Sequence, residues 1–131
     1  MWREAVEEGQ GRPGEAEVKK APEDGWIQVQ PPKDGPLLRL LGGELDDGEA
    51  EGIALAVEVG AGLLLLDETQ ARKRAGLVGL RVTGTLGLLV RARKEGRIDR
   101  LRPVLDRLRR ESLWIGDRLY RRALEGVGEE P

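Results

Sequence analysis

The chain predicts an α/β fold, a parallel sheet with helices on both faces in a three-layer α/β/α arrangement, and three observations carry that prediction. LLLLD, at residues 63–67, is an apolar run with no alternation, the pattern of a central parallel strand covered on both faces. Ahead of it Ala50, Ile53, Ala54 and Val57 form one stripe at helical spacing, ended by Gly60. After it a basic helix over Thr69–Leu77, a strand at LRVTG and a helix over Thr85–Lys94 repeat the alternation of strand and helix.

The elements follow in order. Trp2 to Glu8 reads as the end of a helix with no cap before it. Gly9, Gly11, Pro13 and Gly14 break the chain and a polar stretch follows. WIQVQ, at residues 26–30, alternates apolar and polar and stops at Pro31 and Pro32, which predicts a short strand near a sheet edge. Leu37 to Leu41 predicts one helical turn, closed by Gly42 and Gly43. Asp46 is placed to cap the next helix, with Glu49 three residues on as in a capping box. Thr85 is the expected N-cap of its helix. LRPVLDRLRRE tolerates Pro103 in its first turn, and Trp114 and Ile115 lead to Asp117, the expected cap of a final helix through Leu124.

Composition narrows the chemistry. The 131 residues match one domain, taken as 1–131, and contain neither cysteine nor histidine. Disulfides, the usual zinc sites, thiol nucleophiles and histidine acid/base catalysis are thereby excluded. No apolar run approaches the roughly 20 residues needed to cross a bilayer, and the opening residues do not resemble a signal peptide, so a soluble cytoplasmic protein is expected. The net charge of −2 conceals an asymmetry. Residues 1–68 carry 6 basic and 16 acidic side chains, whereas residues 69–122 carry 16 basic and 5 acidic. Such a distribution suits a protein that holds cations with one half and phosphates with the other, and equally suits charges that are simply solvated on helix faces.

Ligands of open parallel sheets bind beyond the carboxyl ends of the strands. Asp67 stands at that end of LLLLD, Glu68 beside it, and Glu49 and Glu51 open the preceding helix. Converging carboxylates call for a hard divalent cation, Mg²⁺ or Mn²⁺, which suits phosphodiester hydrolysis. Each residue has a structural reading too: Glu49 completes a capping box, and Asp67 or Glu68 caps the helix that starts near Thr69. Arg72, Lys73 and Arg74 either grip a phosphate backbone or form a solvent-facing helix surface. VTGTLG looks like a phosphate-cradling turn, but no lysine follows as in a P-loop, and tight helix packing explains it better.

The segment LDDGEAEGIALAVEVGAGLLLLDE resembles the part of PIN-domain proteins in which an acidic residue opens an alanine-rich helix, a glycine ends it and an apolar strand delivers the next acid. Glu49 lies eleven residues before Gly60 and Asp67 seven after it, the family's two intervals. ARKRAGLVGLRVTGTLGLLVRARKEGRI and LWIGDRLYRRALEGVGE further resemble an uncharacterised branch described as predicted nucleic acid-binding PIN proteins, related to toxins of toxin–antitoxin pairs. The family also has a glutamate on an earlier helix, a pattern that WREAVEEG fits and that nominates Glu4. Its first acidic residue, an aspartate ending the opening strand, has no counterpart here. The resemblance therefore implies that a strand, a helix and a second strand, about 30 residues, precede Trp2 and that Met1 is an internal codon.

What the resemblance implies is a metal-dependent ribonuclease in which Glu4, Glu49 and Asp67 hold Mg²⁺ or Mn²⁺, with Glu51 and Glu68 as lesser candidates. Arg72, Lys73 and Arg74 would hold the RNA backbone. An antitoxin protein and a second copy of the chain are the expected partners beside RNA. Glutamate at residue 49, in place of the more usual aspartate, and the absent first ligand leave open an inactive truncated form. A non-catalytic PIN-like binding domain is the alternative, and a doubly wound nucleotide-binding domain is a third reading.

Overall fold

The computed structural model describes residues 15–111 and 115–131. The expected helical end at Trp2–Glu8 lies outside these residues, as does Trp114. In chain order the elements are α1 (Glu15–Asp24), α2 (Pro36–Gly42), α3 (Asp47–Val59), β1 (Leu64–Leu65), α4 (Thr69–Leu77), β2 (Val82–Thr83), α5 (Thr85–Lys94), α6 (Leu101–Glu111) and α7 (Asp117–Gly126). They divide between Thr83 and Gly84 into two compact units. The protein is thus α/β and rich in helix, with one small parallel sheet among the described residues.

In the first unit, α3 sets the frame. Asp46 caps it, its carboxylate accepting from the Glu49 N–H at 2.9 Å, and Gly60 ends it in the left-handed conformation at φ 65°. The Gly60 N–H donates to the carbonyls of Ala56 and Val57. Ala50, Ile53, Ala54 and Ala56 are buried, while Val57, expected in the stripe, is 41% exposed. β1 pairs in parallel with β2, Leu64 opposite Val82 and Leu65 opposite Thr83. The Leu64 and Leu66 N–H groups donate to the carbonyls of Arg81 and Thr83, both at 2.9 Å.

The core of this unit gathers Leu41 and Leu45 around Ile53, Leu66, Ala71 and Ala75, with Leu64 and Val82 at its margin. Alanine at the contact positions of α3 and α4 lets the helix backbones come close to this small sheet. The expectation that LLLLD is covered on both faces is not met: Leu66 is buried, but Leu63 and Leu65 are 38% and 49% exposed. Successive strand residues point to opposite faces, and only the even-numbered leucines meet the core.

Two further expectations are corrected. WIQVQ forms no strand: residues 26–34 join no ladder, and Trp26 is exposed. Alternation describes a surface that fits a sheet, and without a partner edge it makes none. The polar stretch before it is a helix, α1, in which Ala21 is the only fully buried residue among the described side chains. EAEVKKAPED lacks the apolar period that marks a helix in sequence, and its Pro22 reads as a breaker. Gly25, at φ 83°, closes it.

The second unit is a three-helix cluster. Leu101 and Leu105 of α6, Ile115, and Tyr120, Ala123 and Leu124 of α7 are its buried members, and Leu86, Leu89 and Val90 of α5 pack against them. α5 and α6 have the bounds the sequence predicts, α7 runs on to Gly126 rather than ending at Leu124, and two caps shift by one residue. Gly84 precedes α5 where Thr85 was expected, and Gly116 precedes α7 where Asp117 was expected. Tyr120 donates its hydroxyl to Asp106 at 2.6 Å, which with partial burial raises its pKa, and the Arg109 guanidinium lies 4.6 Å from the centre of the tyrosine ring.

Glu129 closes this unit from the far side of the sequence. Its carboxylate accepts from the N–H groups of Leu101 at 2.6 Å and Arg102 at 3.2 Å, and from Arg93 at 3.2 Å. It therefore caps α6 from 28 residues away and ties α5 to the same point. These donors, the Leu101 N–H first, hold its pKa below the ordinary glutamate value.

Two expected outcomes follow from these contacts. Gly60→Ala destabilises the protein by about 1 kcal/mol through backbone strain alone, since a Cβ there would meet nothing within 4 Å; chemical denaturation measures it. Glu129 has a lowered folded-state pKa, so its contribution is present above the ordinary glutamate value of about 4.3 and fades as the pH falls below it. Glu129→Gln should therefore lower the melting temperature at neutral pH and converge on the parent in acid, in thermal melts across that range.

Candidate acidic site at the sheet edge

The acidic edge is built by two helix starts and one strand end. α3 begins at Asp47, so Glu49 falls in its first turn, and β1 runs through Leu66 to Asp67 and Glu68 before α4 begins at Thr69. Each helix start needs an acceptor for its unpaired N–H groups, and each recruits a carboxylate. Asp46 serves α3, and Glu68 serves α4, accepting from the Ala71 N–H at 2.7 Å.

The same arrangement crowds negative charge. Glu49 is half-buried, and this partial burial is the first cause that holds its carboxyl above the ordinary glutamate range. The Asp46 carboxylate pushes it further, the Asp46 backbone N–H opposes the shift, and Glu68 adds repulsion from across the edge. The contact between Glu49 and the Asp46 N–H completes the capping box expected from the spacing. Glu49 thus has a helix-capping role and a position among neighbouring acids at once.

The structure brings together Glu49 and Glu68, with Asp67 next to Glu68 in the chain and exposed. Glu51 lies two positions beyond Glu49 on α3, a separation that places two side chains on different sides of a helix. Glu4 lies outside the described residues. Asp46, read from sequence only as a cap, is the acid in direct contact with Glu49; a residue three positions before an N3 glutamate was the available signal. Among the described residues no group of three acids is arranged to hold a metal ion. The oxygen donors present are of the type that hard divalent cations take, and a full set requires a ligand from elsewhere.

The basic triplet beside this edge divides. Arg74 pairs with Glu44 at 2.9 Å and holds α4 to the segment before α3. Arg72 and Lys73 are exposed on α4, Lys73 on the side opposite the buried Ala71 and Ala75 and Arg72 on the flank, and make no ion pair with the described residues. Among the described residues no helix is long and apolar enough to cross a membrane.

Comparison with known proteins adds the family. A family model described as a PIN domain matches residues 1–129. No curated protein and no solved structure matches the chain. The family match extends over nearly the whole chain and includes the helix, glycine and strand that carry Glu49, Gly60 and Asp67. The chain belongs to the PIN-domain family, a nuclease-type family.

Proposed function

We propose that the protein is a metal-dependent ribonuclease that hydrolyses RNA phosphodiesters at the acidic edge beyond β1. The observation that carries this reading is the crowding at Glu49: a half-buried carboxyl beside Asp46 and facing Glu68, in a chain of PIN type. Like charges held at one edge are relieved by a cation, and Mg²⁺ or Mn²⁺ matches the all-oxygen donors. Glu49 and Asp67, together with Glu4, would hold that ion, with Glu68 as a further oxygen donor. When bound, such an ion supplies a hydroxide nucleophile near neutral pH and neutralises charge on the phosphate.

The chain's own residues supply the rest. Arg72 and Lys73, which make no ion pair with the described residues and lie on α4 just after Asp67, would hold phosphates flanking the scissile bond. Arg74 instead fixes α4 through Glu44, so that loosening this pair would shift the frame of the edge rather than remove an RNA contact. RNA is the proposed substrate, and an antitoxin-like protein or a second copy is a proposed partner in the wider PIN pattern.

With a fluorescent single-stranded RNA and Mn²⁺, Glu49→Gln and Asp67→Asn should each reduce cleavage by roughly a hundredfold or more. Cleavage that survives both substitutions refutes the reading, and RNA binding without cleavage in any metal transfers it to a non-catalytic PIN-like binding domain.

The raised pKa of Glu49 makes a second outcome measurable. A raised folded-state value favours the protonated form, so this group's contribution is complete below the unfolded value of about 4.3 and is lost as the pH rises through the folded value. Glu49→Gln removes the ionisation, and its melting temperature should exceed the parent's at neutral pH and approach it in acid. Added Mn²⁺ should raise the melting temperature of the parent and leave the variant unchanged. Equal melting of the two proteins at every pH would show that no charge conflict exists there.

A further inference from the structure

Five of the eight acids of the C-terminal unit are engaged inside it, while Asp99, Glu125 and Glu130 make no ion pair with the described residues. Glu95 pairs with Arg91 at 3.3 Å, Glu111 with Arg107 at 3.2 Å and Asp117 with Arg109 at 2.7 Å. Asp106 takes the Tyr120 hydroxyl, and Glu129 takes Arg93 and the start of α6. Residues 84–131 contain twelve basic and eight acidic side chains, a net charge of +4. Three of the cations that make no ion pair with the described residues fall on one helix: Arg118, Arg121 and Arg122 of α7.

Helix geometry places these three together. Tyr120, Ala123 and Leu124 define the inner side of α7, and Arg118, Arg121 and Arg122 are all exposed on the other. Positions i, i+3 and i+4 are neighbours on a helix surface, with Cβ atoms about 5–6 Å apart. On α5 and α6 the same spacing joins arginine to glutamate, Arg91 to Glu95 and Arg107 to Glu111, and the charges cancel. On α7 it joins arginine to arginine, like charges that oppose the helix, with Asp117, already paired with Arg109, four residues before Arg121 and Glu125 four after it.

We infer that this face of α7 is a contact surface for the phosphate backbone of single-stranded RNA, with Arg118, Arg121 and Arg122 as its phosphate ligands. The identity of the polyanion rests on the ribonuclease reading above. Guanidinium groups take phosphate oxygens in a two-pronged contact, and a row of them follows a backbone without reading bases. An acidic protein surface is the weaker match: such interfaces centre on desolvated apolar anchors, whereas Leu119 is the only large apolar side chain exposed on α7. The surface lies on a different helix from the Arg72 and Lys73 of α4, and gives RNA a hold that needs no metal.

The test is fluorescence anisotropy of the full chain with a short single-stranded RNA in EDTA, which prevents metal-dependent cleavage. The triple variant Arg118→Gln, Arg121→Gln, Arg122→Gln is compared with Arg91→Gln, Arg97→Gln, Arg107→Gln, which removes the same charge from arginines that already have acidic partners. The α7 variant should bind roughly tenfold or more weakly at moderate salt and lower the slope of log affinity against log salt by about 2, at about 0.7 per phosphate. The control should retain the parent's affinity within about twofold. Replacing the three α7 arginines with lysine should preserve the salt slope, and thermal melts establish that each variant is folded.

Equal weakening of both glutamine variants overturns the proposal in favour of diffuse attraction by net charge. Unchanged binding in the α7 variant overturns it outright, as does a parent that binds an acidic peptide and no RNA. Failure of the ribonuclease reading is seen separately, as absence of cleavage with Mn²⁺ while the anisotropy results stand.

Discussion

The acidic edge depends on where α3 begins. The hydrogen bond from the Glu49 N–H to Asp46 fixes the first turn of that helix, and Gly60 fixes its last. Between them lie thirteen residues whose small buried side chains face the strand. If the start moved by one residue, Glu49 would rotate by about 100° and leave the edge. The cap therefore also sets where the Glu49 carboxyl stands, near enough to Glu68 to feel its charge.

The site was partly legible in sequence. The capping box and the terminating glycine are local signals that the fold keeps, and α3, α4, β2, α5 and α6 stand where spacing places them. The metal-ligand and helix-cap readings of Glu49 and Glu68 looked like alternatives, yet the fold has both residues in capping positions while crowding their charge. The role of Asp46 beyond its cap depended on side-chain contact, which spacing does not report. Helix α1 has almost no apolar face to mark it in sequence, and WIQVQ alternates like a strand without the neighbour that a strand needs. LLLLD met one face of packing where its composition indicated two, and Leu63 and Leu65 account for the difference.

Charge is organised differently in the two units. Around the acidic edge Arg74 of the triplet is drawn into a pair with Glu44, and Arg72 and Lys73 make no ion pair with the described residues. In the C-terminal unit most acids are engaged with arginines, hydroxyl or backbone, and three of the six cations that make no ion pair with the described residues fall on α7. The near-neutral net charge of the whole chain conceals both patterns, because a sum over residues loses the information about which partners are already taken.

The Glu129 contact has a consequence for the order in which the molecule takes shape. Every pairing in the core of the first unit lies before Gly84, so that part can consolidate while later residues are still being added during synthesis. The C-terminal unit differs, because α6 gains its N-terminal acceptor from a residue translated after all three of its helices. Until then Leu101 and Arg102 have solvent-facing donors and the helix is free to fray. Closure of that unit is consequently a late event, governed by a loop of 28 residues rather than by any neighbouring turn.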